Sequence, residues 1–218
     1  MNVFYQTEIN QQNMGSSPSY LDPIILARIV GESVLDVGCG LGRWGSLIES
    51  NFWEAGLAKP PQVDGFDAFL PNVEFSSKKS CYRSVWHQVM PSPLTGKWDT
   101  VLACEVLEHI EQQYVEDVIS NLEQAATKRI IFSTPNWPNF RNGHETVCGF
   151  NEREAHRSYI GRDFFRRRGY QLIGANFGNP EKLLVRTATK LRLGWALHAL
   201  PRLFPSLGET LVAFKDIR

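Results

Sequence analysis

Residues 34–45 read VLDVGCGLGRWG: an apolar run carrying one aspartate, three glycines at alternate positions, and then a tryptophan that begins a new apolar periodicity. Glycines at this spacing let the main chain turn tightly and approach a ligand with no Cβ in between. A strand that ends in such a turn and runs straight into a helix is a unit of the open α/β sheet, where ligands bind beyond the carboxyl ends of the strands. The stretch therefore constrains both the fold and the edge of the fold where function should be sought.

The remaining chain keeps the same alternation. Residues 18–30 suit a helix, with Asp22 and Pro23 as N-cap and first helical position. Strands are expected at 33–37, 63–69, 82–89, 100–104, 129–133, 170–177 and 209–214, and helices at 44–55, 114–126 and 163–168. The tract GLAKPPQ (56–62) breaks the helix before it, and 135–158 is a long polar connection of the kind that is usually functional. A basic helical excursion occupies 181–208, ahead of the last strand. The expectation is a doubly wound, Rossmann-like α/β sheet forming a single domain over residues 1–218.

Composition narrows the function classes. With 43% hydrophobic residues in 218, the chain can bury one substantial core, and a net charge of zero gives no global field for nucleic acid. No nucleic-acid partner is expected. Cys39, Cys81, Cys104 and Cys148 have no CxxC spacing, and Cys39 and Cys104 sit in apolar strand ends, which favours buried thiols over disulfides. The N-terminal stretch lacks the basic start and apolar run of a signal peptide, and no apolar run reaches the roughly 18 residues of a membrane span, so a cytoplasmic location is expected.

A dinucleotide fingerprint would read G-x-G-x-x-G with an acid about 20 residues on. Here Arg43 stands where the third glycine would be, and Asp67 lies later than that spacing, which disfavours a nicotinamide-dependent oxidoreductase. Asp36, inside the first strand's end, is costly to bury unless it is hydrogen-bonded or faces a cation. It either caps the glycine turn or meets a positively charged ligand.

Four segments occur in order: VLDVGCGLGRWG, VDGFDAF, WDTVLACEVLEHI and RIIFSTPN. Together they resemble the class I S-adenosylmethionine-dependent methyltransferases over about residues 24–214. The resemblance implies a seven-stranded sheet whose last strand, ETLVAF, is antiparallel. It implies that Gly38, Gly40 and Gly42 wrap the methionine part of S-adenosylmethionine, with Asp36 orienting that loop or its ammonium. Asp67 would accept from the ribose hydroxyls, Ala68 and Phe69 would pack near the adenine, and Cys104 and Glu105 would sit beside the sulfur. The chain departs from the family after the third strand, where VWHQVMPSPL has no acid to meet the adenine amino group. Gln88 is the candidate substitute there.

CEVLEHI carries a second pattern. In a helical turn, Glu105, Glu108 and His109 fall on one face. With His156 from the later loop, or His144 as second candidate, they have the ligand chemistry for a divalent metal (Mg, Mn or Zn). The pattern is similar to that of ubiquinone-biosynthesis O-methyltransferases and small-RNA 3′-terminal 2′-O-methyltransferases, both associated with a metal at such residues. Without metal, His109 or His156 can serve as general base, or simply orient the following turn.

The segment from STPNWPNF to RRRGYQLIG resembles the acceptor-side loop of bacterial small-molecule methyltransferases, with Trp137, Phe140, Asn142 and Tyr159 either walling an acceptor site or anchoring the loop. In 182–206, Lys182, Arg186, Lys190, Arg192 and Arg202 are compatible with weak membrane-surface contact, although packing on the chain's own domain is preferred. The reading is methylation of a small-molecule acceptor, on oxygen before nitrogen or carbon, with a non-catalytic cofactor-binding module as the rival. The intact glycine turn and Asp67 oppose that rival.

Overall fold

The computed structural model describes residues 17–56, 59–177 and 194–217. Its strands are β1 (Ser33–Val37), β2 (Gln62–Asp67), β3 (Tyr82–His87), β4 (Trp98–Cys104), β5 (Ala126–Pro135), the short pair β6 (His144–Thr146) and β7 (Gly149–Asn151), β8 (Gln171–Phe177) and β9 (Gly208–Asp216). Seven of them hydrogen-bond in the order β3-β2-β1-β4-β5-β9-β8, and β6 pairs with β7 as a separate hairpin. Strands β1 to β5 run parallel, while β9 is antiparallel to both of its neighbours, with Ile131 opposite Phe214 and Ile173 opposite Val212. The expected seven-stranded sheet with a reversed last strand is present.

Alternation along each central strand divides the core between the two faces of the sheet. Leu35, Val101, Ala103 and Phe132 face one side, where α4 (Val115–Ala125) and α5 (Arg162–Arg167) supply Val118, Ile119, Leu122 and Phe165. Val34, Leu102, Cys104 and Ile131 face the other, against Ile25 of α1 (Asp22–Leu26) and Trp44 and Ile48 of α2 (Arg43–Glu54). Helices on both faces explain why β1 and β4 read as nearly unbroken apolar runs. Two further helices are α3 (Leu70–Ser76) and α6 (Gly194–Leu203). All four cysteines are free thiols, with Cys39 and Cys104 buried.

Several boundaries differ from the sequence expectation. The first helix is a 3-10 turn (Ser19–Leu21) followed by the short α1, with Leu21 and not Asp22 at the N-cap. Asp22 lies inside the first turn because its carboxylate is engaged by Arg43 at 2.6 Å. Strand β2 stops at Asp67, since Asp67 Oδ1 accepts the Phe69 N–H at 2.8 Å and turns the chain into α3. The basic residues Lys182, Arg186, Lys190 and Arg192 lie outside the described residues, and Arg202 falls in α6. Among the described residues no helix is long and apolar enough to cross a membrane.

One buried relay locks the start of α2 to the sheet. Gly45 N–H donates to Tyr82 Oη at 3.2 Å, and Tyr82 Oη donates to Asp36 Oδ2 at 2.6 Å. Asp36 is 1% exposed and its other oxygen has no partner among the described residues, so burial, reinforced by the nearby Asp67 charge, pushes its carboxyl up to about 7. The native state therefore holds this proton more tightly than the unfolded chain, and stability is lost as pH rises from about 4 to 7. Asp36→Asn has no proton to release. Its unfolding free energy from urea titration should gain on wild type across that window, by on the order of 1–4 kcal/mol, and the difference should stay level above it. A difference that does not change with pH would contradict the burial argument.

Candidate cofactor and active site

The carboxyl ends of β1, β2 and β4 open into a cavity of about 330 Å³. Its floor is the glycine turn. Gly38 has φ +66°, and a Cβ there would lie 2.7 Å from Val106 Cγ2. Gly40 has φ +53° with nothing within 4 Å of a Cβ position, so its bare main chain faces the open cavity. Gly42 does not reach the wall; it is the left-handed N-cap of α2. Asp67 closes the turn from β2: Oδ2 accepts the Gly40 N–H at 2.8 Å while Oδ1 holds Phe69 N–H. Burial raises its carboxyl, and those two N–H groups pull it back.

Not every expected cofactor residue reaches this cavity. Ala68, Gln88, Cys104 and Glu105 line it; Phe69 does not, because it turns away as the N-cap of α3. Asp36 is also absent from the wall, its carboxylate being committed to Tyr82, so the contact it makes is the one that steadies the helix after the turn. The Gln88 amide is fixed: Oε1 accepts from Trp86 Nε1 at 2.7 Å, and Nε2 donates to the Ser92 and Pro93 carbonyls at 3.1 and 3.3 Å. Val89 and Met90 supply apolar wall beside it that the sequence reading did not single out.

The segment after β4 is not an α-helix. Leu107–His109 is a 3-10 turn and Glu105 precedes it with φ +54°, so the three residues do not share an α-helical face, although the Glu105 and Glu108 carboxyls still adjoin. Glu105 is anchored to β5, its N–H on the Ser133 carbonyl at 3.0 Å and its Oε1 accepting Ser133 Oγ at 2.7 Å. Donor atoms of Glu108, His109 and His156 do converge, within 4.8 Å of one another. Glu108 is 2% exposed; Oε2 accepts from Thr134 Oγ1 at 3.2 Å, while among the described residues no donor reaches Oε1 and no hydrogen-bond partner reaches His156 Nδ1. Burial raises both glutamates, Glu108 well above the usual range with the Glu105 charge adding to it. His144 lies outside this group, on the β6–β7 hairpin.

His109 is the member of the cluster that lines the cavity. Its Nδ1 lies 3.2 Å from the Ala155 carbonyl, which can only accept, so Nδ1 carries the proton and Nε2 is bare. Nε2 is 3.8 Å from Glu154 Oε2, and the His156 ring stands edge-on at 5.0 Å between centroids. Burial holds both histidines down to about 4 and pushes Glu154 up to about 7. Glu154, together with Arg153 and Arg157, was not singled out in the sequence, because the polar run NEREAHR has no periodicity to say which side chains turn inward. The aromatic wall expected at Trp137, Phe140 and Tyr159 does not reach the cavity. Trp137 and Phe140 are exposed, Trp137 lies under the Arg162 guanidinium at 5.5 Å, and Tyr159 Oη donates to the Asn136 carbonyl at 3.2 Å, which is the anchoring arrangement; Asn142 is exposed.

The strand order, the reversed β9 and a glycine turn opening onto a cavity at the carboxyl edge define the class I methyltransferase fold. A family profile described as a methyltransferase domain matches residues 14–173, and the chain belongs to that family of S-adenosylmethionine-dependent methyltransferases. The chloroplastic magnesium protoporphyrin IX methyltransferase of Arabidopsis thaliana is 27% identical over 116 residues, a match spanning 48% of this chain and 33% of that protein. Among solved structures, magnesium protoporphyrin IX methyltransferase from Synechocystis PCC 6803 with bound SAH has a TM-score of 0.55 at 15% identity, covering 100% of this chain and 89% of its own. A TehB-like methyltransferase from Corynebacterium glutamicum has a TM-score of 0.56 at 17% identity, with 99% and 96% covered. At these identities the likeness is one of fold.

Asp67 ties the exposed part of the glycine turn to the sheet. Asp67→Ala should weaken S-adenosylmethionine binding by at least about tenfold, roughly the loss of one charge-assisted hydrogen bond. Isothermal calorimetry reads this directly, and an unchanged affinity would remove Asp67 from the cofactor site.

Proposed function

We propose that the protein transfers the methyl group of S-adenosylmethionine to an oxygen of a small-molecule acceptor that enters beside His109. One observation carries the reading: a neutral histidine with its lone pair on Nε2 shares a single cavity with the glycine turn. Methyl transfer from a sulfonium is an in-line displacement that needs alignment and a deprotonated acceptor. A hydroxyl becomes a competent nucleophile only as it loses its proton, so a base at this position favours oxygen. The acceptor oxygen forms the bond to the methyl carbon as the carbon–sulfur bond breaks, its electrons staying on sulfur as the thioether. The hydroxyl proton passes to His109 Nε2, and Glu154 Oε2 at 3.8 Å faces the imidazolium that results. The protoporphyrin methyltransferases are named for a small-molecule acceptor, and the zero net charge of this chain gives no support to a nucleic-acid one.

A divalent metal (Mg, Mn or Zn) is the second reading, favoured by the two unpartnered atoms, Glu108 Oε1 and His156 Nδ1, within the buried cluster. Glu108, His109 and His156 would hold it, with Ala155 fixing the His109 ring from behind. It would supply a Lewis acid at the acceptor oxygen.

Labelled S-adenosylmethionine incubated with fractionated metabolites identifies the acceptor by the fraction that gains the methyl group. With that acceptor, His109→Gln should lower kcat by about 10²–10⁴-fold while S-adenosylmethionine affinity changes little. The acid limb of kcat/KM should lie near pH 4 and not at the 6.5 of an ordinary histidine, because His109 loses its lone pair only there. A chelator should leave the rate unchanged if His109 is the base. Loss of activity on chelation, repeated in His156→Ala, would establish the second reading instead.

A further inference from the structure

Arg153 and Arg157 stand in the cavity wall, on the loop after β7, and the methyl transfer described above uses neither. That loop is stitched to the turn that carries His109. The Arg157 and Ser158 N–H groups both donate to the Glu108 carbonyl, at 2.6 and 3.1 Å, and Ser158 Oγ donates to the Leu107 carbonyl at 2.9 Å. Arg153 is placed by Asn151, itself 1% exposed and part of the wall, whose Oδ1 accepts the Arg153 N–H at 2.9 Å. The main chain of both arginines is thus fixed relative to the base, while both side chains stay open to solvent.

The charge at this end of the cavity is unbalanced. Its two acids are engaged: Glu111 Oε1 lies 3.5 Å from Arg157 Nη1, and Glu154 Oε2 lies 3.8 Å from His109 Nε2. Arg153 makes no ion pair among the described residues. Burial pushes the Glu154 carboxyl up to about 7, so near neutrality it supplies only part of a negative charge. Arg141, whose carbonyl accepts the His156 N–H, adds a positive charge that His109 and His156 both feel. The Glu111–Arg157 pair is open to water on both sides, and a pair of that kind contributes little and yields to a ligand that offers a better acceptor.

The cofactor does not account for these cations. In the proposed reaction it presents a sulfonium toward His109, and a guanidinium nearby repels a sulfonium. Positive charge kept in the wall beyond it is matched only by an anion on the other reactant. Arginine suits that purpose because its planar fork fits two oxygens of a carboxylate or phosphate at once.

We infer that the methyl acceptor is an anion, a hydroxyl compound bearing a carboxylate or phosphate, and that Arg153, with Arg157 as second donor, receives that group while the hydroxyl meets His109. The inference rests on the methyl-transfer reading and adds the substrate class to it.

Metabolites separated on an anion-exchange resin near neutral pH, then incubated with labelled S-adenosylmethionine, test this. The fraction that gains the methyl group should be one the resin retains, and phosphatase treatment, which abolishes the retention of a phosphate ester and spares a carboxylate, says which anion it carries. With that acceptor, Arg153→Gln should raise KM by about 10–100-fold with kcat within about threefold, and Arg157→Gln should raise it by a smaller factor. Added salt should narrow both differences. Arg153→Lys, which keeps the charge and loses the fork, should fall in between, and it carries the test if the glutamine variant does not fold. S-adenosylhomocysteine affinity, read by calorimetry, should be the same in all of them. Labelling of a fraction that runs through the resin, or a KM indifferent to both substitutions, would leave the arginines as solvated surface, and the inference fails. S-adenosylhomocysteine affinity that falls along with acceptor affinity would move them to the cofactor, and it fails equally. Labelling of no fraction at all would overturn the methyl-transfer reading itself.

Discussion

The arrangement of the site depends on one carboxylate. Asp67 ends β2 largely buried at the cavity wall, with one oxygen on the Gly40 N–H and the other on the Phe69 N–H. The first bond sets how far the glycine turn leans over the strand ends, and the second starts α3 and so forms the adjoining wall. A charged acceptor between two main-chain donors is stronger than a neutral one, and its burial makes either bond costly to lose. The turn, the cavity behind it and the entry of α2 are therefore tied together, with the Asp36–Tyr82–Gly45 relay fixing the helix end from beneath.

Around this clamp the carboxyl edge of the sheet collects buried and half-buried acids. Asp36, Asp67, Glu105, Glu108 and Glu154 are all displaced upward, with burial as the leading cause in each. Desolvation disfavours carboxylates, and a protein keeps several together only where something positive is expected among them. S-adenosylmethionine brings a sulfonium and an ammonium, which answers that expectation with the ligand's own charge.

The sequence disclosed what periodicity and spacing encode. Every strand of the main sheet was legible because two covered faces demand apolar runs, and the glycine turn and Asp67 were legible because close main-chain approach demands glycine and an acceptor. What escaped depends on direction more than on residue type. Asp36 sits one residue away from wall-lining Val37, and in a strand that single step sends its side chain to Tyr82 instead of the cavity. The ExxEH pattern presumed an α-helical turn; the left-handed backbone of Glu105 and the 3-10 turn after it set that glutamate on Ser133 and against the Glu108 carboxyl, outside the group of donors that converges on His109 and His156. Glu154 became visible only once the loop after β7 was folded against His109.

That loop decides what His109 can do. The Ala155 carbonyl holds the Nδ1 proton and thereby delivers the Nε2 lone pair, and a lone pair can take a proton or bind a cation but not both at once. Glu154 and His156 flank it in sequence around Ala155, one carboxyl near Nε2 and one imidazole edge-on to the ring. The carboxyl suits the first use, since it faces the imidazolium; the second imidazole, with its unpartnered nitrogen beside Glu108, suits the other. Three consecutive residues of one loop thus frame the His109 imidazole, while the sheet beneath them sets where it stands.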